Sequence, residues 1–275
     1  ASRRHVEGGN HRPIVLNDSG TFSIMVNEED HLRIQVILPG LQPMSALGMA
    51  QELDCALASR IAYARADNYG YLTSSLANVG TGLRLSVMLH LAGLAFLGEA
   101  VTVLSAAAEL KTSVRGLFGE GTRALGDIFQ VSNETSIGFT EKEITSRVRA
   151  AAEHLVSRER EARRKLASEM RSEMVEAARE SWCRLTESRS LGGREAMAYL
   201  SVVRLADETG VAPGVSARRF NELLLSMRLG DTASGERPMG SIADDTRRAR
   251  LVRECLKAEC DAALAAGSCA PEPKG

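Results

Sequence analysis

FSIMVNEEDHLRIQVIL, Phe22 to Leu38, is the stretch that decides the fold. FSIMV and LRIQVIL flank the turn NEED, and in the second run Leu32, Ile34, Val36 and Leu38 share one face while Arg33 and Gln35 share the other. The alternation predicts a β-hairpin with acids at its tip. Glu28 and Glu29, with Arg33 four residues after the second, could pair a general base with an anion clamp. On these letters alone a solvated acidic turn is the simpler reading.

Working outward, Pro39 and Gly40 close the hairpin, and MSALGMAQELDCALASRIAYARA carries Leu47, Leu53, Leu57 and Ile61 at near-helical spacing. That predicts a helix with one face on the sheet. YGYLT and the loop TSSLANVGTGLR follow, and then LRLSVMLHL sets Arg84, Ser86, Met88 and His90 against Leu83, Leu85, Val87, Leu89 and Leu91. A helix over AFLGEAVTVLSAAAEL, a short strand around SVRGLF and a strand DIFQVSN complete this half. At Thr140 the texture changes: Thr140 and Glu143 form a capping box that opens a charge-rich helical stretch to about Leu185. Three further helices are predicted, over REAMAYLSVVRLADETG with Gly210 as C-cap, VSARRFNELLLSMRLG, and SIADDTRRARLVRECLKAECDAALAAG. The fold class is therefore α+β, an antiparallel sheet flanked by helices and followed by a helical domain. The final SCAPEPKG reads as a loose tail.

Composition narrows the function classes. With 44% hydrophobic and 25% charged residues the chain can build an ordinary core, and a net charge of -1 argues against broad attraction to nucleic acid or a membrane surface. Five cysteines (Cys55, Cys183, Cys255, Cys260, Cys269) form no CxxC pair, which fits reduced thiols and a cytoplasmic home. The longest apolar run, Leu85 to Leu97, is too short to span a bilayer. The chain opens on ASRRHVEGGNHRP without an initiator methionine, as expected of a fragment or a processed chain.

Three stretches carry chemistry. Gly80 and Gly82 in NVGTGLR would let backbone approach a ligand, and Arg84 offers a planar fork for phosphate or carboxylate, or the loop is only a connection between strands. There is no GxxxxGK[ST]. VRGLFGEGTRALGDIFQVSN adds Arg115, another glycine turn and Glu120. Converging Arg33, Arg84 and Arg115 would suit a nucleotide triphosphate, whose transfer depends on positioning and charge neutralisation. His31 reads as a contact or a turn hydrogen bond, His90 as a core group before a ligand, and the charge run SREREARRKLASEMRSEMVEAARE as a solvated helix face.

In order, NEEDHLR, NVGTGLR, and RG with its glycine turn and VSN resemble the ATP:guanidino phosphotransferase (phosphagen kinase) family, in its bacterial protein-arginine kinase branch. The resemblance runs from about Arg3 to Leu256. It implies a guanidino kinase catalytic domain over 1–162 lacking an N-terminal lobe, a helical C-terminal domain over 163–266 and a flexible tail over 267–275. It implies ATP and Mg2+ as cofactors, with no dedicated metal cluster. Glu29 matches the catalytic glutamate beside Glu28. Arg33, Arg84 and Arg115 match phosphate clamps, and Leu85, Ser86, Val87, Met88, Gly116, Leu117, Phe118, Gly119 and Glu120 the other nucleotide-contact positions. The implied activity is phosphoryl transfer from ATP to protein arginine, tied to Clp-dependent degradation and stress response, with a zinc-containing activator and a homodimer.

Three departures temper this. Ser75, Leu76, Ala77 and Asn78 stand where the family has Cys-Pro-Thr-Asn, and a serine hydroxyl does not ionise as a thiol can. The family's front portion, with further arginines, precedes the point where this chain begins. In ADDTRRAR, Asp244 stands where the phosphoarginine-recognising R-D-x-x-R-A motif has its first arginine, while Asp245, Arg248 and Ala249 match it. The alternative function is therefore a catalytically impaired homologue acting as a regulatory or binding module.

Overall fold

The protein was analysed as a computed structural model, which describes residues 2–4, 13–109, 111–116, 124–232 and 242–265. Its contacts divide the chain into two units, one of residues 1–89, 104–114 and 130–154, the other of 90–103, 115–129 and 155 onward.

The first unit begins with a four-stranded antiparallel sheet in sequence order, β1 (Ser2–Arg4), β2 (Ile14–Leu16), β3 (Phe22–Val26) and β4 (Leu32–Val36). The expected hairpin is β3–β4, with Phe22 opposite Val36, Ile24 opposite Ile34 and Val26 opposite Leu32. Asn27 turns the chain with a φ of 55°, a left-handed value that asparagine tolerates better than most side chains, and its N–H donates to the His31 carbonyl at 3.0 Å. Residues 27–29 at the tip are exposed.

The predicted helix is α1 (Pro43–Ala58), started by a proline at its first turn. It ends earlier than the leucine spacing suggests. Ser59 donates its N–H to the Cys55 carbonyl and its hydroxyl to that of Ala56, satisfying the last turn, and Ile61 beyond it is exposed. A short hairpin follows, β5 (Arg65–Ala66) and β6 (Gly70–Tyr71). Tyr71 donates its hydroxyl to Asp54 Oδ2 at 3.1 Å, and Tyr63 packs edge-on against it with ring centroids 5.6 Å apart. Burial, and then the Asp54 carboxylate, push the Tyr63 phenol up to about 12.

The second sheet has the order β7 (Ser86–His90), β9 (Ile128–Asn133), β8 (Thr112–Gly116). Between β7 and β8 the single expected helix is two, α2 (Ala92–Phe96) and α3 (Ala100–Ala108), because Gly98 adopts a φ of 71° that stops the first. α4 (Glu141–Glu169) starts on the predicted capping box: Thr140 Oγ1 accepts from the Glu143 N–H, and Glu143 Oε2 accepts from the Thr140 N–H at 2.7 Å and hydroxyl at 2.8 Å. Ile144 and Val148 of this helix bury against Leu85, with Leu83, Val87 and Phe139 at the margin.

The second unit is helical: the rest of α4, then α5 (Arg171–Glu187), α6 (Gly193–Glu208), α7 (Ala217–Thr232) and α8 (Ile242–Ala265). The long predicted helix is broken at Met170, whose φ of -124° is not helical. Gly210 caps α6 with a φ of 65°, as expected. Leu185, Leu200, Phe220, Leu223, Ala249, Val252 and Leu256 form its core. The predicted tail at 267–275, with Cys260 and Cys269, lies outside the residues whose side chains are described.

Inside this unit a charged network replaces part of the apolar core. Glu159, almost fully buried, accepts from the N–H groups of Gly93 and Leu94 and from Arg163 Nε, while Arg163 also reaches Glu208 Oε2 at 2.6 Å. Arg204 donates to Glu208 Oε1 at 3.0 Å. His90, read from sequence as a core group, pairs Nε2 with Ser201 Oγ at 2.8 Å, and Ser201 donates to Asp127 Oδ2 at 2.6 Å. Such buried charges are tolerable only when every partner is in place. Burial alone would raise the Glu208 carboxyl, but the His90 ring and the guanidiniums of Arg163 and Arg204 win and hold it down at about 2. A carboxylate depressed below its ordinary value contributes stability above that value and loses it as pH falls toward the folded one. The urea midpoint is therefore expected to fall between about pH 4.5 and pH 2 in the parent more steeply than in Glu208→Gln. Parallel curves would contradict the network.

Candidate active site

The acidic tip and the serine loop, far apart in sequence, are tied together. Asp30 Oδ1 accepts from the Ser74 N–H at 2.7 Å, and Ser74 donates its hydroxyl to the Glu29 carbonyl at 3.1 Å. Thr73 Oγ1 donates to the Ser75 carbonyl at 2.7 Å and the Asn78 N–H to the same oxygen at 3.0 Å, which folds Leu76–Asn78 into a single 3-10 turn. Ser75, half-buried, is thus one residue from a direct clasp on the hairpin that carries Glu29.

The two glutamates are not equivalent. Glu28 Oε2 accepts from the Glu29 N–H at 3.1 Å and pairs with Arg33 at 3.3 Å, so its carboxylate is folded back on its own turn. The Glu29 carboxylate is exposed and makes no hydrogen bond to a described residue. Of the two carboxylates it is the one left open to solvent. The Arg33–Glu28 pair is itself largely solvated, and such surface pairs are worth about 0–1 kcal/mol, so Arg33 can be recruited by an anion at little cost.

Arg84 owes its position to Asn133. Asn133 Oδ1 accepts from the Leu85 N–H at 2.8 Å and its Nδ2 donates to the Leu83 carbonyl at 3.1 Å, while its own N–H donates to the Leu85 carbonyl. With Leu85 pulled into the core, the side chains of Arg84, Ser86 and Met88 alternate outward, as the strand pattern predicts. Asn133 lies in VSN, but nothing in three letters shows that an amide will clamp a segment 48 residues away. Neither did the sequence show the Asp30–Ser74 contact.

The first glycine of NVGTG, Gly80, serves packing. Gly80 and Tyr71 exchange backbone hydrogen bonds, Ser136 Oγ donates to the carbonyls of Val79 and Ala77, and a Cβ on Gly80 would lie 2.9 Å from the Ser136 carbonyl oxygen. Its φ of 114° also excludes ordinary side chains. The connection reading explains Gly80.

Among the other expected positions, Leu85 is a core residue and Val87 packs beside it, so only their backbone could meet a ligand. Arg115 is exposed on β8 and Gly116 is buried at its end. Leu117, Phe118, Gly119 and Glu120 lie outside the described residues. Among the described residues no group of three or more His, Cys, Asp or Glu is placed to hold a metal ion, and no helix is long and apolar enough to cross a membrane.

Residues 3–162 match the family model of the ATP:guanido phosphotransferase C-terminal catalytic domain, and residues 171–266 that of the protein-arginine kinase McsB C-terminal domain. The protein-arginine kinase of Symbiobacterium thermophilum is 42% identical over 248 residues, covering 90% of this chain and 70% of that protein. The chain belongs to the protein-arginine kinase branch of the ATP:guanido phosphotransferase family. The protein-arginine kinases of Moorella thermoacetica and Bacillus cereus are 40% and 36% identical, over 90% and 93% of this chain and 71% and 72% of their own lengths.

In this kinase chain the R-D-x-x-R-A-like segment begins α8. Arg248 is buried and donates Nη1 to the Leu191 carbonyl at 3.0 Å and to Asp245 Oδ1 at 2.6 Å, while Asp245 accepts the Leu191 N–H on its carbonyl. Ala249 is in the core, and Asp244 sits in the helix's first turn, where the dipole favours an acid. Arg248 and Asp245 thus bracket the start of α8 onto the segment before α6.

Asn133→Ala should lower the unfolding free energy by about 1–3 kcal/mol, the cost of stranding the Leu85 N–H and Leu83 carbonyl. Asn133→Asp, which keeps the acceptor and loses the donor, should fall between it and the parent in chemical denaturation. Equal stability of all three would reject the clamp.

Proposed function

We propose that this chain is an ATP-dependent protein-arginine kinase, with Glu29 as the base. The observation that carries the proposal is the solitary, exposed Glu29 carboxylate on a tip clasped by Asp30 and Ser74. A guanidinium stays protonated to beyond pH ~12 and is a poor nucleophile until a proton is withdrawn. Glu29 orients the target guanidinium and accepts that proton, a role worth about 10²–10⁴-fold in rate. The family model and the relatives' names support the class of reaction.

ATP, when bound, supplies the phosphoryl group. Arg84, presented outward by the Asn133 clamp, and Arg33, weakly held by Glu28, are cations suited to its phosphates, and Arg115 on β8 is assigned the same role. Ser86 and Met88 share the Arg84 face of the strand. Mg2+ would be carried by the nucleotide's phosphates and water. Protein substrates with exposed arginines, a zinc-containing activator, delivery to the Clp machinery under stress, self-association and a cytoplasmic setting belong to the same proposal.

Ser75 favours a second reading, a slow or inactive relative that binds without turning over. Its hydroxyl can hydrogen-bond but cannot supply the charge of a thiolate. Acid-labile, arginine-linked phosphate on an arginine-rich protein incubated with ATP separates the two. The kinase reading predicts at least a ~10²-fold loss in Glu29→Gln and a gain in Ser75→Cys. Equal background from parent and Glu29→Gln would leave only the binding module.

A further inference from the structure

The clasp that holds Ser74 leaves two large apolar side chains bare beside it. Leu76 is 86% exposed and Leu72 51% exposed, although both sit in ordered backbone: Leu76 opens the 3-10 turn, and the Leu72 N–H donates to the Ala64 carbonyl at 2.9 Å. Scattered exposed leucines are common on any surface, so exposure alone decides nothing. These two differ in their placement. They bracket the short segment Thr73–Ser75, whose central residue is bonded to both Glu29 and Asp30. Among the described residues the Leu76 side chain is almost fully open to water.

We propose that Leu72 and Leu76 are specificity determinants, an apolar contact for residues flanking the arginine that Glu29 receives. The inference rests on the kinase reading of Glu29 and goes beyond it, since it names the kind of protein segment selected. A target guanidinium at Glu29 brings its neighbouring residues over the 72–76 loop, because Ser74 is hydrogen-bonded to the backbone of that same glutamate. An apolar neighbour removes leucine surface from water on both sides, whereas a charged or small polar neighbour gains nothing there. The clasp matters to this selectivity: a loop already held in place spends less conformational entropy when a peptide lands on it. The occupant is therefore an extended, arginine-centred segment with leucine-like side chains next to the arginine.

The test reads binding, so it does not depend on turnover. Fluorescence anisotropy of two labelled nonapeptides, each with a central arginine flanked by leucines or by serines, is measured on the whole chain and on Leu76→Ser and Leu72→Ser. The expected result is roughly fivefold tighter binding of the leucine peptide, falling below about twofold in Leu76→Ser with the serine peptide unchanged, a selectivity of the size one apolar contact can give. Both variants should melt like the parent, as substitutions at exposed sites do. No leucine preference in the parent, or the same preference in both variants, would overturn the inference. A chain that phosphorylates arginine yet shows no preference fails this inference alone, whereas one that prefers the leucine peptide yet transfers no phosphate fails only the kinase reading.

Discussion

The hydrogen bond from the Ser74 N–H to the Asp30 carboxylate, 2.7 Å long and spanning 44 residues, is the constraint on which the site depends. A hairpin tip closed by a backbone bond at Asn27 and exposed at residues 27–29 is a turn of the kind that is free to sample many shapes. Bonds to a charged acceptor are about twice as strong as neutral ones, and this one is reinforced by the Ser74 hydroxyl on the Glu29 carbonyl. Together they give Glu29 a fixed backbone while leaving its carboxylate free. Glu28, by contrast, spends its carboxylate on the Glu29 N–H and on Arg33.

The same division of labour recurs on the cationic side. Arg84 is exposed, yet its neighbours are held: Leu83 and Leu85 are gripped by Asn133, and Leu85 is buried against Ile144 and Val148 of the capped α4. Rigid backbone with a free side chain is what catalysis by positioning requires. In the helical unit the arginines are used differently. Arg163, Arg204 and Arg248 are tied to Glu159, Glu208 and Asp245, and their charge goes into holding helices together. A guanidinium saturated by carboxylate is a poor phosphate receptor, whereas Arg84 is exposed.

Much of this was legible in the letters because it is local. Alternation in LRIQV gave β4, Thr140 and Glu143 gave the start of α4, and Gly210 gave the end of α6, since each rests on residues within four positions of one another. The outward face of Arg84, Ser86 and Met88 followed from period two. What was not legible was non-local or hinged on single backbone values. The φ of Gly98 splits one predicted helix, and Met170 splits another. The clamps of Asn133 and Asp30 join segments 48 and 44 residues apart, and no spacing rule brings such pairs together. Gly80 was ambiguous for the same reason, since its close neighbour Ser136 is distant in sequence. The order of motifs supplied the chemistry that periodicity could not.

The most direct test of the central claim, that the Asp30–Ser74 clasp positions Glu29 for proton removal, is a double-mutant cycle in arginine-phosphate formation. Asp30→Ala, Ser74→Ala and the double variant are compared for kcat at saturating ATP and target protein. The account predicts that each single variant slows kcat, Asp30→Ala by losing the acceptor of the Ser74 N–H and Ser74→Ala by losing the hydroxyl on the Glu29 carbonyl, and that the double variant loses less than the product of the two because both bonds hold one tip. Independent, multiplying losses, or an unchanged kcat in both singles, would contradict it.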